Sequence, residues 1–244
     1  MRHAGQLLVA LVLCLGMMSA TASAQTRIPR EVYVGAIGGA NLSSYTFYPK
    51  VTQKMTPCYT AGVALRYIEE TYFGLQVELL LTQRAYADDY EEMPDLNYTR
   101  KLTYIEVPAM AHIYFNVGKR NQVAIDLGPK VAWFISDAIS TNMPDDFGME
   151  GSPYEGYTYE HHSLAIKKTF DYGIQAGLGY EFKLNSKMSL QLQGRYYYGL
   201  GNLWPDSKAD AFEQSSNSSI QIVAALWWKH VIRGKRVKAS AAKQ

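Results

Sequence analysis

The stretch YFGLQVELLLTQR, residues 72–84, separates into two rows when it is read at every second position. Phe73, Leu75, Val77, Leu79 and Leu81 face one way, whereas Gly74, Gln76, Glu78, Thr82 and Arg84 face the other. A period of two marks a β-strand, whose successive side chains point to opposite faces. In a water-soluble sandwich the apolar row would be buried. Here the pattern recurs between Val32 and Trp228, and the aromatic residues gather at the two ends of the apolar rows. That sorting predicts the reverse arrangement, a membrane barrel whose apolar row faces lipid.

Strands are expected near residues 31–42, 59–68, 72–86, 101–115, 121–135, 168–183, 187–200 and 218–229. Their connections alternate in length: short at 69–71, 116–120 and 184–186, long at 43–58, 87–100, 136–167 and 201–217. Bacterial barrels have short periplasmic turns and longer external loops. The expectation is therefore an all-β fold, an eight-stranded antiparallel transmembrane β-barrel with up-and-down topology and both termini in the periplasm. With the chain starting on that side, Tyr67, Phe73, Phe115, Tyr180, Phe182 and Trp228 form the periplasmic aromatic belt. Trp133, Phe170, Tyr172, Tyr196 and Tyr198 form the outer one. Tyrosine and tryptophan favour headgroup depth because their rings are apolar while their OH or NH needs a polar partner.

The opposite rows point inward. They carry Arg66, Glu78, Arg84, Glu106, His112, Asp126, Lys130, Asp171, Glu181 and Arg195, with Gln76, Gln175, Gln191 and Gln193 among them. Eight strands enclose an interior just wide enough for side chains to fill. Mixed charge in so narrow a lumen should pair into a network, because an isolated buried ion is costly. A plugged interior is expected, with Gly173, Gly177 and Gly179 making room for long partners. Pro108 lies mid-strand, where it donates no ladder bond, so a bulge or local break is expected there.

The first residues indicate export. Arg2 and His3 precede an apolar run at residues 7–15, and Ala-Ser-Ala at 22–24 supplies small residues before Gln25. This reads as a signal peptide, 1–24, cleaved after Ala24. Cys14 does not suggest lipidation, because Leu13 before it is bulky. No other segment has the roughly 20 continuous apolar residues of a transmembrane helix. Cleavage leaves Cys58 as the only cysteine, read as an incidental loop thiol, and no internal disulfide is available.

The formal charge of +2 hides an asymmetry. Residues 229–244 hold six of the 24 Lys and Arg and no acid, while the 22 acidic residues lie before them. The chain thus divides into a barrel at 25–228 and a basic periplasmic tail at 229–244, with Arg233, Lys235, Arg236 and Lys238 as its partner-facing residues. Inner-leaflet phosphates or an acidic periplasmic partner could meet this tail, and so could solvent alone. No nucleic-acid partner is expected for an exported envelope protein.

Five stretches carry a resemblance: VGAIGGANLSS (34–44), YIEVPAMAHIYF (104–115), DLGPKVAW (126–133), FDYGIQAGLGYEF (170–182) and GRYYYGLGNL (194–203). In this order they resemble the PorT-type outer-membrane barrel family of Bacteroidetes, over nearly the whole chain after the signal. The resemblance implies a place in the type IX protein secretion system. The long third external loop and the extension after the last strand bring the chain near the family's namesake. Many relatives end close to the final strand, so here the aromatic assembly signal is displaced to Trp227 and Trp228.

The third external loop carries Asp145, Asp146, Glu150, Glu155 and Glu160, the tyrosines Tyr154, Tyr157 and Tyr159, and His161 and His162. It can be read as a contact surface for a protein or as a solvated loop. His162 beside Ser163 makes a poor catalytic dyad, because neighbours on a strand face opposite ways. A His pair with Glu160 is too bare a pattern for a metal centre. The expectation is thus a non-enzymatic barrel with no cofactor, metal or small-molecule substrate, surrounded by outer-membrane lipids and bound to secretion-system subunits. A small channel and a surface adhesin are the alternatives.

Overall fold

The computed structural model describes residues 30–48, 53–88, 96–144, 150, 166, 168–204 and 214–232. Eight long strands run through it: β1 (Arg30–Tyr48), β3 (Thr56–Glu70), β4 (Phe73–Asp88), β5 (Tyr98–Val117), β6 (Asn121–Thr141), β7 (Phe170–Lys183), β8 (Met188–Asn202) and β9 (Gln214–Ile232). A two-residue stub, β2 (Gln53–Lys54), pairs with the outer tip of β4. Each long strand is antiparallel to its sequence neighbour, and β1 pairs with β9, so the eight form a closed ring.

The register fixes the size of the barrel. Paired residues followed around the ring run from Gly74 through His112, Asp126, Gly177, Arg195, Gln221 and Asn41 to Cys58. Gly74 itself pairs with Ile68 on that strand, ten residues from Cys58, so the shear is ten. With strands about 4.8 Å apart and a rise of about 3.3 Å per residue, this gives a tilt of about 40° and a backbone radius of about 8 Å.

Two aromatic belts bound the outer surface. Phe115, Tyr180, Phe182 and Trp228 are exposed at the short-turn end, with Tyr67 and Phe73 partly covered. Trp133, Phe170, Tyr172, Tyr196 and Tyr198 are exposed at the other end, joined by Tyr59. On β7, Phe170 and Tyr172 stand ten residues from Tyr180 and Phe182. Ten residues at that tilt span about 25 Å, the height of the apolar band of an outer-membrane barrel.

Several boundaries differ from the sequence reading. β1 runs six residues past the expected end, and β6 reaches Thr141 instead of 135, because the strands continue pairing above the lipid band. Cys58 is therefore no loop thiol: it lies within β3 opposite Asn41 and is buried. β9 continues through Ile232, since β1 starts at Arg30 and offers it a ladder edge, so residues 229–232 belong to the wall and not to the tail. At Pro108 the ladders to both neighbours lose rungs without a change of register, a break and no bulge. The β5–β6 bulge lies higher, where Thr103 pairs with Ser136 and Tyr104 with Phe134. The signal residues 1–24, the tail residues Arg233, Lys235, Arg236 and Lys238, and His161, His162 and Ser163 lie outside the described residues.

A sealed, charged lumen as the candidate functional site

Alternation aims the even rows of β3 to β6 and the odd rows of β1 and β7 to β9 inward. All fourteen polar residues expected in the lumen are buried there. Three layers connect them.

The layer nearest the short turns centres on Arg66. Its Nη1 donates to Glu181 Oε2 at 2.7 Å, its Nε to Gln76 Oε1 at 2.8 Å and its Nη2 to Gln191 Oε1 at 2.7 Å. The guanidinium lies 4.0 Å from the centre of the Trp227 ring, whose Nε1 donates to the same Gln191 oxygen. Ser189 Oγ donates to the second oxygen of Glu181. Every nitrogen of the guanidinium thus has a partner, the condition for burying a charge at tolerable cost.

In the middle layer Arg195 grips Glu78 with two bonds, Nη1 to Oε2 at 2.7 Å and Nη2 to Oε1 at 2.8 Å. Arg195 Nε donates to Gln193 Oε1, and Gln193 Nε2 donates to Asp126 Oδ2. The other oxygen of Asp126 lies 2.7 Å from His112 Nδ1. Between the belts the lumen holds four strong cations, Arg66, Arg84, Lys130 and Arg195, against the five carboxylates Glu78, Glu106, Asp126, Asp171 and Glu181, while Arg100 nearer the outer mouth pairs with Asp137. Asp126 is the one carboxylate without a strong cation at ion-pair distance, and His112 takes that place.

In the outer layer Arg84 reaches Glu106 at 2.5 Å and Asp171 at 2.5 Å, while Lys130 Nζ donates to Glu106 Oε2 at 3.0 Å. Tyr197 donates to Asp171 at 2.9 Å and presents its ring face to Lys130, 3.7 Å away.

These bonds cross the full width of the barrel. In ring order β3 stands opposite β7, and β4 opposite β8, so Arg66–Glu181 and Arg195–Glu78 join diametrically opposed strands. The inward glycines of β7 give them space: a Cβ at Gly177 would lie 2.7 Å from the Gln193 side chain, and one at Gly179 2.7 Å from Gln191.

Two apolar groups inside the barrel were not anticipated from sequence. Tyr33, Ile37, Ala64, Ile68, Leu80, Val223, Ala225 and Trp227 line the wall formed by β1, β3, β4 and β9. Tyr45, Tyr86, Tyr98, Leu102, Tyr104, Ala132, Leu203 and Trp204 fill the outer mouth. The signal for the second group was present, since the row of Glu106 continues backwards through Tyr104, Leu102, Arg100 and Tyr98.

The outer half of β4 completes this cap. Its ladder with β3 ends at Thr60–Thr82, although β3 continues to Thr56 and β4 to Asp88. Beyond that point side chains of β1 take over. Ser43 Oγ donates to Ala85 O at 2.8 Å and accepts from Ala85 N at 2.7 Å, and Asn41 Nδ2 donates to Gln83 O at 2.8 Å. Ala85 lies on the row that faces lipid lower down, yet it is fully buried. The strand has tucked under β1, into the mouth.

Among the described residues no group of three His, Cys, Asp or Glu side chains is placed to hold a metal ion. No curated protein sequence matches the chain. Among solved structures, OprG of Pseudomonas aeruginosa is similar at 11% identity, over 84% of this chain and 98% of that one, with a TM-score of 0.49. Neisserial surface protein A is similar at 14% identity, over 82% and 97%, with a TM-score of 0.44. Ail of Yersinia pestis, solved with the heparin analogue sucrose octasulfate, is similar at 11% identity, over 83% and 100%, with a TM-score of 0.39. The family model described as outer membrane protein beta-barrel domain matches residues 23–204, most of the chain. A closed ring of eight strands, an apolar band between two belts and this match lead to one assignment: the chain belongs to the outer-membrane protein β-barrel domain family.

Proposed function

We propose that this outer-membrane barrel is a non-enzymatic, non-conducting structural or docking component of a protein-secretion apparatus, the type IX system that the PorT-type resemblance implies. One observation supports the non-conducting part. Ion pairs between opposed strands cross the lumen at two levels, Arg66–Glu181 and Arg195–Glu78, beneath an aromatic cap. A path for solutes would have to break buried pairs, so the rims are the surfaces left for work. The secretion role rests on the five resembling stretches, and its partners would be secretion-system subunits together with the surrounding lipids. Two measurements test the reading. Purified barrel in planar bilayers should show no large, stable conductance; such a conductance would reject the sealed scaffold. Deleting the gene should leave type IX cargo precursors in the periplasm, and normal export in a clean deletion strain would reject the secretion role.

A further inference from the structure

At the short-turn end the inward rows of β6 to β9 finish in cations, whereas those of β1 and β3 finish in Glu31 and Glu70. Arg120 follows the row of Gln122, Lys183 that of Glu181, Lys187 that of Ser189 and Lys229 that of Trp227. Backbone bonds bring them together: Lys183 N donates to Arg120 O at 2.8 Å, and Lys229 N to Lys187 O at 2.7 Å. With Lys119 beside Arg120 they form one crescent along half of the periplasmic mouth. Further in, every lysine and arginine of the lumen meets a carboxylate; here Lys229 bridges Glu31, Lys183 donates to the neutral Asn116, and among the described residues Lys119, Arg120 and Lys187 form no ion pair.

Like charges held side by side repel and call for an external counter-charge. We infer that this crescent is a docking surface for an acidic polypeptide segment of a periplasmic partner. The inference rests on the docking reading above and names the chemistry of one partner. Lipid phosphate is the poorer occupant, because the row facing lipid at this height holds Phe115, Val117, Phe182, Leu184 and Trp228, while the cations end rows that face the barrel axis. A second copy cannot serve, since it shares the membrane orientation and presents the same cations to the same side. The Arg66–Trp227 layer closes the floor of the mouth, so the acidic segment would lie across the rim and not thread the barrel.

The test uses the full chain in detergent and in nanodiscs, with a fluorescent oligoglutamate peptide as probe. Lys119→Gln, Arg120→Gln, Lys183→Gln and Lys187→Gln are combined in one variant, whose folding is verified by its heat-modifiable gel mobility. A second variant neutralises Arg233, Lys235, Arg236 and Lys238 instead. The crescent variant should bind the peptide at least about tenfold more weakly, and wild-type binding should weaken with salt, because exposed charge contacts are screened. The tail variant should keep most of the affinity. Equal binding by wild type and crescent variant, or loss only in the tail variant, overturns the inference. So does abolition of peptide binding in nanodiscs by a switch from neutral to anionic lipid, which would mean that headgroups occupy the crescent. Conductance and cargo export are read separately, so failure here leaves the sealed-scaffold reading intact.

Discussion

Arg195→Ala separates pairing from mere filling of the lumen. In the wild type this guanidinium makes two bonds to Glu78 and one to Gln193, and both charged side chains are at most 1% exposed. The substitution leaves Glu78 with only the Gln76 amide, which donates to it at 2.5 Å. Stranding a buried charge in this way costs about 3 to 5 kcal/mol. Replacing both partners, Arg195→Leu with Glu78→Leu, removes the stranded charge. What remains is the loss of partners for the Gln76 and Gln193 amides, about 1 to 3 kcal/mol each, and the Gln193 loss is common to both variants. The double variant should therefore unfold at a higher denaturant concentration than the single one despite carrying more changes. Guanidinium unfolding in detergent micelles, followed by tryptophan fluorescence and by gel mobility, reads both. If Arg195→Ala lies within about 1 kcal/mol of wild type, or if the double variant is the less stable, the pair does not hold this layer in the manner argued.

Three further outcomes follow from the same geometry. Ser140→Cys, on the part of β6 that stands above the outer belt, should react with an impermeant thiol reagent on intact cells, and Ser186→Cys in the β7–β8 turn only after permeabilisation; the reverse pattern would invert the topology. Gly128→Ala should block barrel assembly, because its Cβ would lie 2.0 Å from Ala109 O, whereas Gly194→Ala, with nothing within 4 Å, should assemble normally; equal yields of folded barrel would refute the close approach of β5 and β6. Ser43→Ala should leave the Ala85 amide without its acceptor, costing about 1 to 3 kcal/mol and raising hydrogen exchange at Ala85; unchanged exchange there would mean that the serine does not hold the tucked strand.

The parts of the fold legible in sequence were those that repeat with the strand period. Residues 72–84 display both rows of β4, and the lumen charges follow by alternation once the lipid face is known. Three-dimensional pairing was not legible. Arg66 and Glu181 are 115 residues apart and meet only because shear and strand count bring β3 opposite β7. Lipid-facing aromatics could be sorted by depth, but Trp227 and Tyr104 point inward on the same strands as outward-facing Trp228 and Ile105. The tuck of β4 was hidden for another reason. Regular alternation continues through Gln83, Arg84 and Ala85, and only contacts with β1 show that the wall has been left. The turn at Thr71 and Tyr72 gave no warning either. Tyr72 has a φ of 74°, an uncommon conformation for a non-glycine residue, and its ring stacks on Phe115 at 5.8 Å.

Barrel width explains why sealing takes this form. A radius of about 8 Å puts opposed backbones about 16 Å apart, a gap that one arginine and one glutamate can bridge head to head. A wider barrel would need an inserted loop or helix as a plug, whereas here the wall's own side chains suffice. The layers differ in kind because their surroundings do. In the lipid band, where water is absent outside the wall, charged side chains are buried in bonded contact with opposite charges or, at Asp126, with His112 and Gln193. Above the outer belt, where backbone groups can reach water or side chains, the wall can give up a ladder and fold β4 inward as part of an apolar cap. Unpaired charge stands at the periplasmic rim, where Arg120 and Lys187 are exposed. A side chain already committed to a bonded layer cannot bind a partner without breaking that layer. The crescent can bind one at no such cost, so recognition belongs at this edge and not in the lumen.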